Sequence, residues 1–258
     1  MNKFLIAKEN GHMIPCIADI PENCKKIVIL IHGLSSSKES ENSSCMMKYF
    51  AKKGIGAIAY DQPGHGTEEA TDEILLLKNC LDSLASVEKY ITEHYPNAEI
   101  CYFGSSFGGY VLGIYAAKGM NTGQKAFMRC AAVIFPQMIV GDINAEPDPE
   151  VMEVLNKQGY IETMVDGKVV RFYKEFLEEL KENSMTELYN GTLIEHTQFS
   201  FVHGEMDKVV PVHAVKAFAE NHGYPITIIP GEGHSISDAP DSPETVARTA
   251  YEFFVSAL

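Results

Sequence analysis

Ser106 lies in the pentapeptide Gly104-Ser105-Ser106-Phe107-Gly108, a G-x-S-x-G pattern set between an apolar run, Ile100 to Phe103, and a helix-like stretch, Tyr110 to Ala117. That setting makes Ser106 a candidate nucleophile. A serine at a sharp strand-to-helix turn has strained backbone angles and close neighbours, so both flanking positions must be small. Its hydroxyl is a poor nucleophile at neutral pH and needs a base within hydrogen-bond reach, which in turn needs an orienting acid. Among nine histidines, His234 follows the last predicted strand in Gly231-Glu232-Gly233-His234. It therefore occupies a loop at the carboxyl edge of the sheet, where the Ser106 turn also opens. We read His234 as the general base and acid. The segment His203-Gly204-Glu205-Met206-Asp207-Lys208-Val209-Val210-Pro211 offers Asp207 as the orienting acid, with Glu205 as the competing carboxylate. The chain order Ser106, Asp207, His234 is the one expected for this type of turn.

Acyl transfer also requires donors aimed at the developing oxyanion. The backbone N–H of Phe107, at the start of its helix, is one candidate, and that of Leu34 in His32-Gly33-Leu34 is the other. Gly33 permits the turn this demands. Asp61 and His65, in Asp61-Gln62-Pro63-Gly64-His65-Gly66, read as residues that stabilise their own loop. Cys16, Cys24, Cys45, Cys80, Cys101 and Cys130 lack C-x-x-C spacing, and no histidine pair has helical spacing. Reduced thiols, with no metal and no cofactor, are the expectation.

The elements that must position these groups alternate between strand-like and helix-like runs, the pattern of an α/β protein with a mostly parallel sheet covered on both faces. An antiparallel pair, Lys3 to Ala7 and Ile14 to Asp19, comes first, followed by buried strands at Lys26 to Ile31 and Ile55 to Tyr60. A helix at Met46 to Lys53 lies between them. Ile74, Leu77, Leu81, Leu84, Val87 and Ile91 form the stripe of a long amphipathic helix ending before Pro96. After the Ser106 turn and its helix, Ala131 to Phe135 reads as the next strand.

Residues 136–196 then break the alternation and read as an inserted cap, dividing the core into residues 1–135 and 197–258. Glu146-Pro147-Asp148-Pro149 is a helix start, with Asp148 as its cap. Asp166-Gly167 joins two short strands as a hairpin, and Tyr173, Phe176, Leu177 and Leu180 line one helix face. Met138, Met152, Met164 and Met185, with Tyr160, Phe172, Tyr173, Phe176 and Tyr189, either pack this insertion or border an apolar pocket. Regular elements resume at Phe199 to Val202, near Pro211, at Ile226 to Ile229 and from Pro243 to Ala257.

With 258 residues, 45% apolar content and a net charge of −14, the chain can form one sizeable core and carries no basic stripe for nucleic acid or anionic membranes. No run reaches the roughly 18 apolar residues of a membrane span, and Met1 to Ala7 is too short for a signal segment. A soluble cytoplasmic protein is the expectation.

Through His32-Gly33, Asp61 to Gly66, the Ser106 turn, Asp207 to Pro211 and Gly233-His234, the chain resembles the α/β-hydrolase superfamily over nearly its whole length. The resemblance implies an eight-stranded sheet that begins antiparallel, a cap after the sixth strand, and serine hydrolase chemistry. Among subfamilies, the hairpin-bearing insertion is similar to that of bacterial cinnamoyl or feruloyl esterases and of serine-aminopeptidase-like hydrolases. The implied substrate is a small ester with an apolar or aromatic acyl group. A peptide substrate is the alternative, with Glu146, Glu150, Glu153 and Glu162 as acids for a free amino terminus. A ligand-binding protein without turnover is the third.

Overall fold

Alternation along a single strand accounts for the two covered faces of the sheet. In β3 (Lys26–Ile31), Ile27, Ile29 and Ile31 join one buried apolar cluster, while Val28 and Leu30 join the other. The computed structural model describes residues 1–66, 73–143, 148–190 and 196–257. Glu146 and Pro147 of the helix-start motif lie outside them.

In chain order the strands are β1 (Asn2–Ala7), β2 (Met13–Asp19), β3, β4 (Gly56–Tyr60), β5 (Glu99–Ser105), β6 (Lys125–Arg129), the hairpin strands β7 (Tyr160–Val165) and β8 (Lys168–Tyr173), β9 (Gln198–Gly204) and β10 (Ile226–Ile229). Eight of them form one sheet in the order β1-β2-β4-β3-β5-β6-β9-β10. β1 and β2 pair antiparallel, as does β2 with β4, and the remaining pairs are parallel. From β3 the chain moves to one side, to β4, and then returns to β5 on the other. The crevice at this switch point opens beyond the carboxyl ends of β3 and β5, where Ile31 pairs with Gly104.

One face carries α1 (Glu41–Lys52) and α9 (Ser242–Val255), which bury Met46, Met47 and Phe50 against Val246, Ala250 and Phe254. The other carries α2 (Leu77–His94), α3 (Phe107–Ala117) and α8 (Val212–Asn221). The helix starts differ from the patterning. α1 begins at Glu41 because Ser40 accepts the Ser43 N–H at 3.2 Å, a cap that precedes the apolar stripe. Ile74 lies ahead of α2 and is exposed, whereas the non-helical Leu75 and Leu76 are buried.

The expected strand at Ala131 to Phe135 is not one. The sixth strand is β6, ending at Arg129, and Ala131 to Ile134 form a turn that enters the helix α4 (Phe135–Val140). The charges of Lys125 and Arg129 conceal this strand in the sequence, yet both side chains are buried. Lys125 Nζ donates to the Phe253 carbonyl at 2.9 Å and to Ser256 at the end of α9. Apolar character therefore misplaces the strand by six residues, because its own ends are long cations with buried acceptors.

Between β6 and β9 the chain forms α4, α5 (Pro149–Gln158), the β7–β8 hairpin, α6 (Lys174–Glu182) and α7 (Met185–Leu188). Asp148 caps α5 through the Glu150 N–H at 2.8 Å. Asp166 and Gly167 have φ of 50° and 76°, the two positive values that a tight two-residue hairpin turn requires. This segment shares its apolar cluster with the sheet: Phe176 lies beside Phe107 and Phe135, and Met185 packs on Gly113, where a Cβ would come within 2.4 Å of the methionine Cε. Met164, by contrast, is exposed.

Candidate active site

The turn after β5 holds Ser106 at φ 52° and ψ −117°, a conformation that non-glycine residues adopt only when their surroundings enforce it. Those surroundings are backbone. A Cβ at Gly104 would come within 2.8 Å of the Gly108 carbonyl oxygen, and one at Gly108 within 2.2 Å of the Ile31 carbonyl oxygen. The Ser106 N–H donates to the Arg129 carbonyl at 3.0 Å, and the Ser106 carbonyl accepts from Gly109, Tyr110 and Ala132. Adjacent strands thus clamp the serine from both sides.

His234 Nε2 lies 2.9 Å from Ser106 Oγ, and its Nδ1 lies 2.7 Å from Asp207 Oδ2. These side chains arrive from separate loops after β5, β9 and β10. A Cβ on Gly204 would approach the Gly233 carbonyl oxygen to 2.3 Å, so the close contact that joins the Asp207 and His234 loops requires glycine there. Asp207 Oδ1 accepts the N–H groups of Val209 and Val210, each at 2.9 Å. Glu205, the competing acid, instead accepts from Gly231 N–H and is exposed.

Burial opposes ionisation of Asp207, but hydrogen bonds from His203 and His234, the imidazole charge and the Val210 N–H outweigh it. Together they hold the carboxyl well below the usual carboxylate range. An ionised acid beside Nδ1 keeps a proton on that nitrogen and leaves Nε2 free to accept from Ser106.

The loop after β3 runs against Ser106. A Cβ at Gly33 would stand 3.2 Å from Ser106 Cβ and 3.8 Å from its Oγ. Leu34 follows directly, and Phe107 is the first residue of α3, whose N–H has no partner within the helix. Two polar contacts moor this loop from below. His32 Nε2 accepts the Gln62 N–H at 3.1 Å, and Lys38, in a fully buried ion pair, meets Asp61 at 2.9 Å while its N–H donates to the same carboxylate at 2.7 Å. Asp61 thus braces this neighbouring loop through Lys38. His65 Nδ1 sits 2.9 Å from the Pro63 carbonyl, and its ring stacks near Phe107. Burial lowers the pKa of both imidazoles, that of His32 to about 3.

Sequence patterning passes over three groups that the fold brings to the site. His203 is fully buried and places Nε2 3.0 Å from Asp207 Oδ2. Arg129 is 2% exposed and reaches the His234 loop. From the insertion, Lys168 Nζ donates to the Ser35 carbonyl at 2.7 Å, while Ser35 Oγ donates to Asp166 Oδ2 at 3.1 Å. The available signal for the first two was a titratable residue at the carboxyl end of a strand near the one that leads to Ser106. The hairpin contact has no local signature, since 131 residues separate its partners.

Cys130, His203 and Asp207 also bring metal-ligand atoms within 4.8 Å of one another. Burial pushes the Cys130 thiol up to about 12, and both Asp207 oxygens already accept hydrogen bonds. The cluster therefore fits a hydrogen-bonded support for the acid better than a cation site.

The profile of the family described as serine aminopeptidase, S33, matches residues 22–188, more than half of the chain. The chain belongs to this family and has the α/β-hydrolase fold. Among solved structures it is similar to Est1E from Butyrivibrio proteoclasticus, determined with ferulic acid bound, at 21% identity over 98% of each chain with a TM-score of 0.79. It is also similar to mouse α/β hydrolase domain-containing protein 10, at 14% identity over 98% of each chain with a TM-score of 0.74. The esterase domain of a Rhodothermus marinus protein aligns at 14% identity, over 97% of this chain and 96% of that one, with a TM-score of 0.71. No curated protein sequence gives a significant match.

Proposed function

We propose that the chain is a serine hydrolase of carboxylic esters that works through an acyl-enzyme, with Ser106, His234 and Asp207 as its catalytic residues. The continuous hydrogen-bond path from Asp207 through His234 to Ser106, at 2.7 and 2.9 Å, carries this reading. Ser106 Oγ attacks the ester carbonyl as its proton passes to His234 Nε2, and the backbone N–H groups of Phe107 and Leu34 receive the oxyanion. Collapse of the tetrahedral intermediate expels the alcohol, which takes the proton from His234. Water then loses a proton to His234 and attacks the acyl carbonyl, releasing the acid and restoring Ser106. No metal or cofactor enters these steps.

Half-buried Leu34, next in the chain to the Gly33 that packs on Ser106, and Ile134 in the turn whose Ala132 N–H meets the Ser106 carbonyl, favour an apolar or aromatic acyl group. Est1E, which binds ferulic acid, adds support for the aromatic case. In this reading the insertion is a cap over the acyl site, and the partner is a small molecule, neither nucleic acid nor membrane. A cytoplasmic location agrees with six free thiols, and no helix among the described residues is long and apolar enough to cross a membrane.

The test is hydrolysis of short-chain, long-chain and hydroxycinnamoyl esters by the wild type and Ser106→Ala. Loss of turnover by about 10⁶ in the variant is expected where chemistry limits the rate. Undiminished turnover by the variant, or failure of a fluorophosphonate to label Ser106, overturns the assignment.

The family description favours one second reading, an aminopeptidase using the same three residues. Its motivating acids give it little support: Glu150, Glu153 and Glu162 are exposed, Glu162 pairs with Arg171, and Glu146 is outside the described residues. Cleavage of aminoacyl-arylamides at rates rivalling esters would establish it.

A further inference from the structure

We infer that Arg129, together with Ser105, is a positioning residue that sets the backbone of His234 so that its imidazole reaches Ser106. The inference rests on the hydrolase reading above. His234 stands in a stretch without regular structure between β10 and α9, and its Nδ1 contact with Asp207 restrains only the ring. Contacts on a ring do not by themselves fix the main chain that carries it. Something must therefore hold the main chain.

Arg129 ends β6, between the nucleophile strand and β9. Its guanidinium is almost wholly buried and donates to the carbonyl oxygens of His234, at 3.3 Å, and Ser235, so the two peptide groups that follow the base are gripped. Another of its N–H groups donates to Ser105 Oγ at 2.7 Å, and its carbonyl accepts the Ser106 N–H at 3.0 Å. One residue thus ties the strand leading to the nucleophile to the loop that bears the base. A planar fork of donors can span two carbonyls and a hydroxyl at once, which an ammonium cannot do with the same geometry.

Two further observations agree. All three acceptors are neutral oxygens, so a buried cation is kept where a neutral residue would be cheaper to desolvate, and it serves the geometry of this loop. Ile236, two residues beyond the base, has φ 43° and is buried, a conformation unfavourable to a β-branched residue that the surrounding contacts must enforce. The Glu232 carboxylate pins the far end of the loop through Asp238 and Ala239 N–H and Ser242 Oγ. Arg129 holds the near end, where the chemistry is.

The experiment compares the full-length wild type with Arg129→Gln, Arg129→Lys and Ser105→Ala. It measures kcat and KM on a p-nitrophenyl ester, the fluorophosphonate labelling rate of Ser106, and kcat/KM against pH. Since a displacement of about 1 Å can lower a rate by 10²-fold, Arg129→Gln is expected to lower kcat by about that factor, with KM little moved and labelling slowed in parallel. Arg129→Lys, which keeps charge and one donor, is expected to recover part of the loss.

Charged and titratable groups near the base are Asp207 and His203 from the β9 side, Arg129 at the end of β6 with Cys130 after it, and Glu232 and Asp238 on its own loop. Removing the cation favours the imidazolium, so the acid limb of the Arg129→Gln profile should move to higher pH, while that of Arg129→Lys should stay in place. A merely structural loss would not separate the two profiles. If Arg129→Gln does not fold, the other two variants decide, each expected to lower kcat several-fold with KM unmoved. Wild-type kcat and labelling in folded variants overturn the inference. An unreactive wild type instead overturns the hydrolase reading.

Discussion

His32 links acid stability to the mooring of the loop that carries the Leu34 N–H. Its Nδ1 lies 2.7 Å from the Gly33 carbonyl and therefore holds the proton, while Nε2 accepts the Gln62 N–H at 3.1 Å. A second proton would face that N–H inside the protein. Burial foremost, then the charge of His65, lowers the pKa from 6.5 to about 3, with the Gly33 carbonyl opposing the shift. The unfolded chain takes up this proton more readily than the folded one, so stability is complete above pH 6.5 and declines as pH falls from there toward 3. Relative to pH 7.5, linkage gives a loss of about 2 kcal/mol at pH 5 and about 3 kcal/mol at pH 4 from this residue. Urea unfolding of the wild type and His32→Gln at pH 7.5 and pH 5 isolates it, because the amide does not titrate and all other groups are shared. The stability gap between the two proteins should narrow by about 2 kcal/mol at the lower pH. A gap that stays constant refutes the assignment of His32 as a buried neutral acceptor.

Three other substitutions separate chemistry from support. Asp207→Asn preserves shape but loses the charge that fixes the His234 tautomer, and kcat should fall by about 10⁴, with a lower thermal midpoint because the folded state favours the ionised carboxylate; retention of even a tenth of wild-type kcat would remove Asp207 from its role. Lys168→Met releases the Ser35 carbonyl from the hairpin, and a drop in kcat of about tenfold, equivalent to ~1.4 kcal/mol, is expected from a loosened oxyanion loop; wild-type kinetics would mean that the hairpin contact is idle. Met185→Ala opens a cavity against Gly113 and should cost about 2–5 kcal/mol in denaturant unfolding while the kcat of the folded protein is preserved; an unchanged unfolding midpoint would contradict the packing.

The parts of the site with a local physical signature are readable along the chain. Small residues around Ser106 reflect the close packing of the start of α3 on β3 and β5, as the 2.2 Å approach of a Cβ on Gly108 to the Ile31 carbonyl oxygen demonstrates. Asp148-Pro149 and Asp166-Gly167 announce a helix start and a hairpin because capping and positive φ depend on a few neighbouring residues. Alternation in Ile27 to Ile31 likewise specifies a strand buried on both faces.

Other features depend on partners remote in sequence. Strand β6 is hidden because the acceptors for Lys125 lie at the end of α9 and those for Arg129 on the Ser105 and Ser235 side, so its charges look solvated until the chain closes around them. The choice of Asp207 over Glu205 depends on which carboxylate faces the imidazole once the Gly204 and Gly233 backbones meet. The clasp between Ser35 and the hairpin turn has the same origin. Residue types along a chain encode local conformational preference and chemical capacity, whereas distances between distant groups, and hence which capacities combine, arise from packing of the whole.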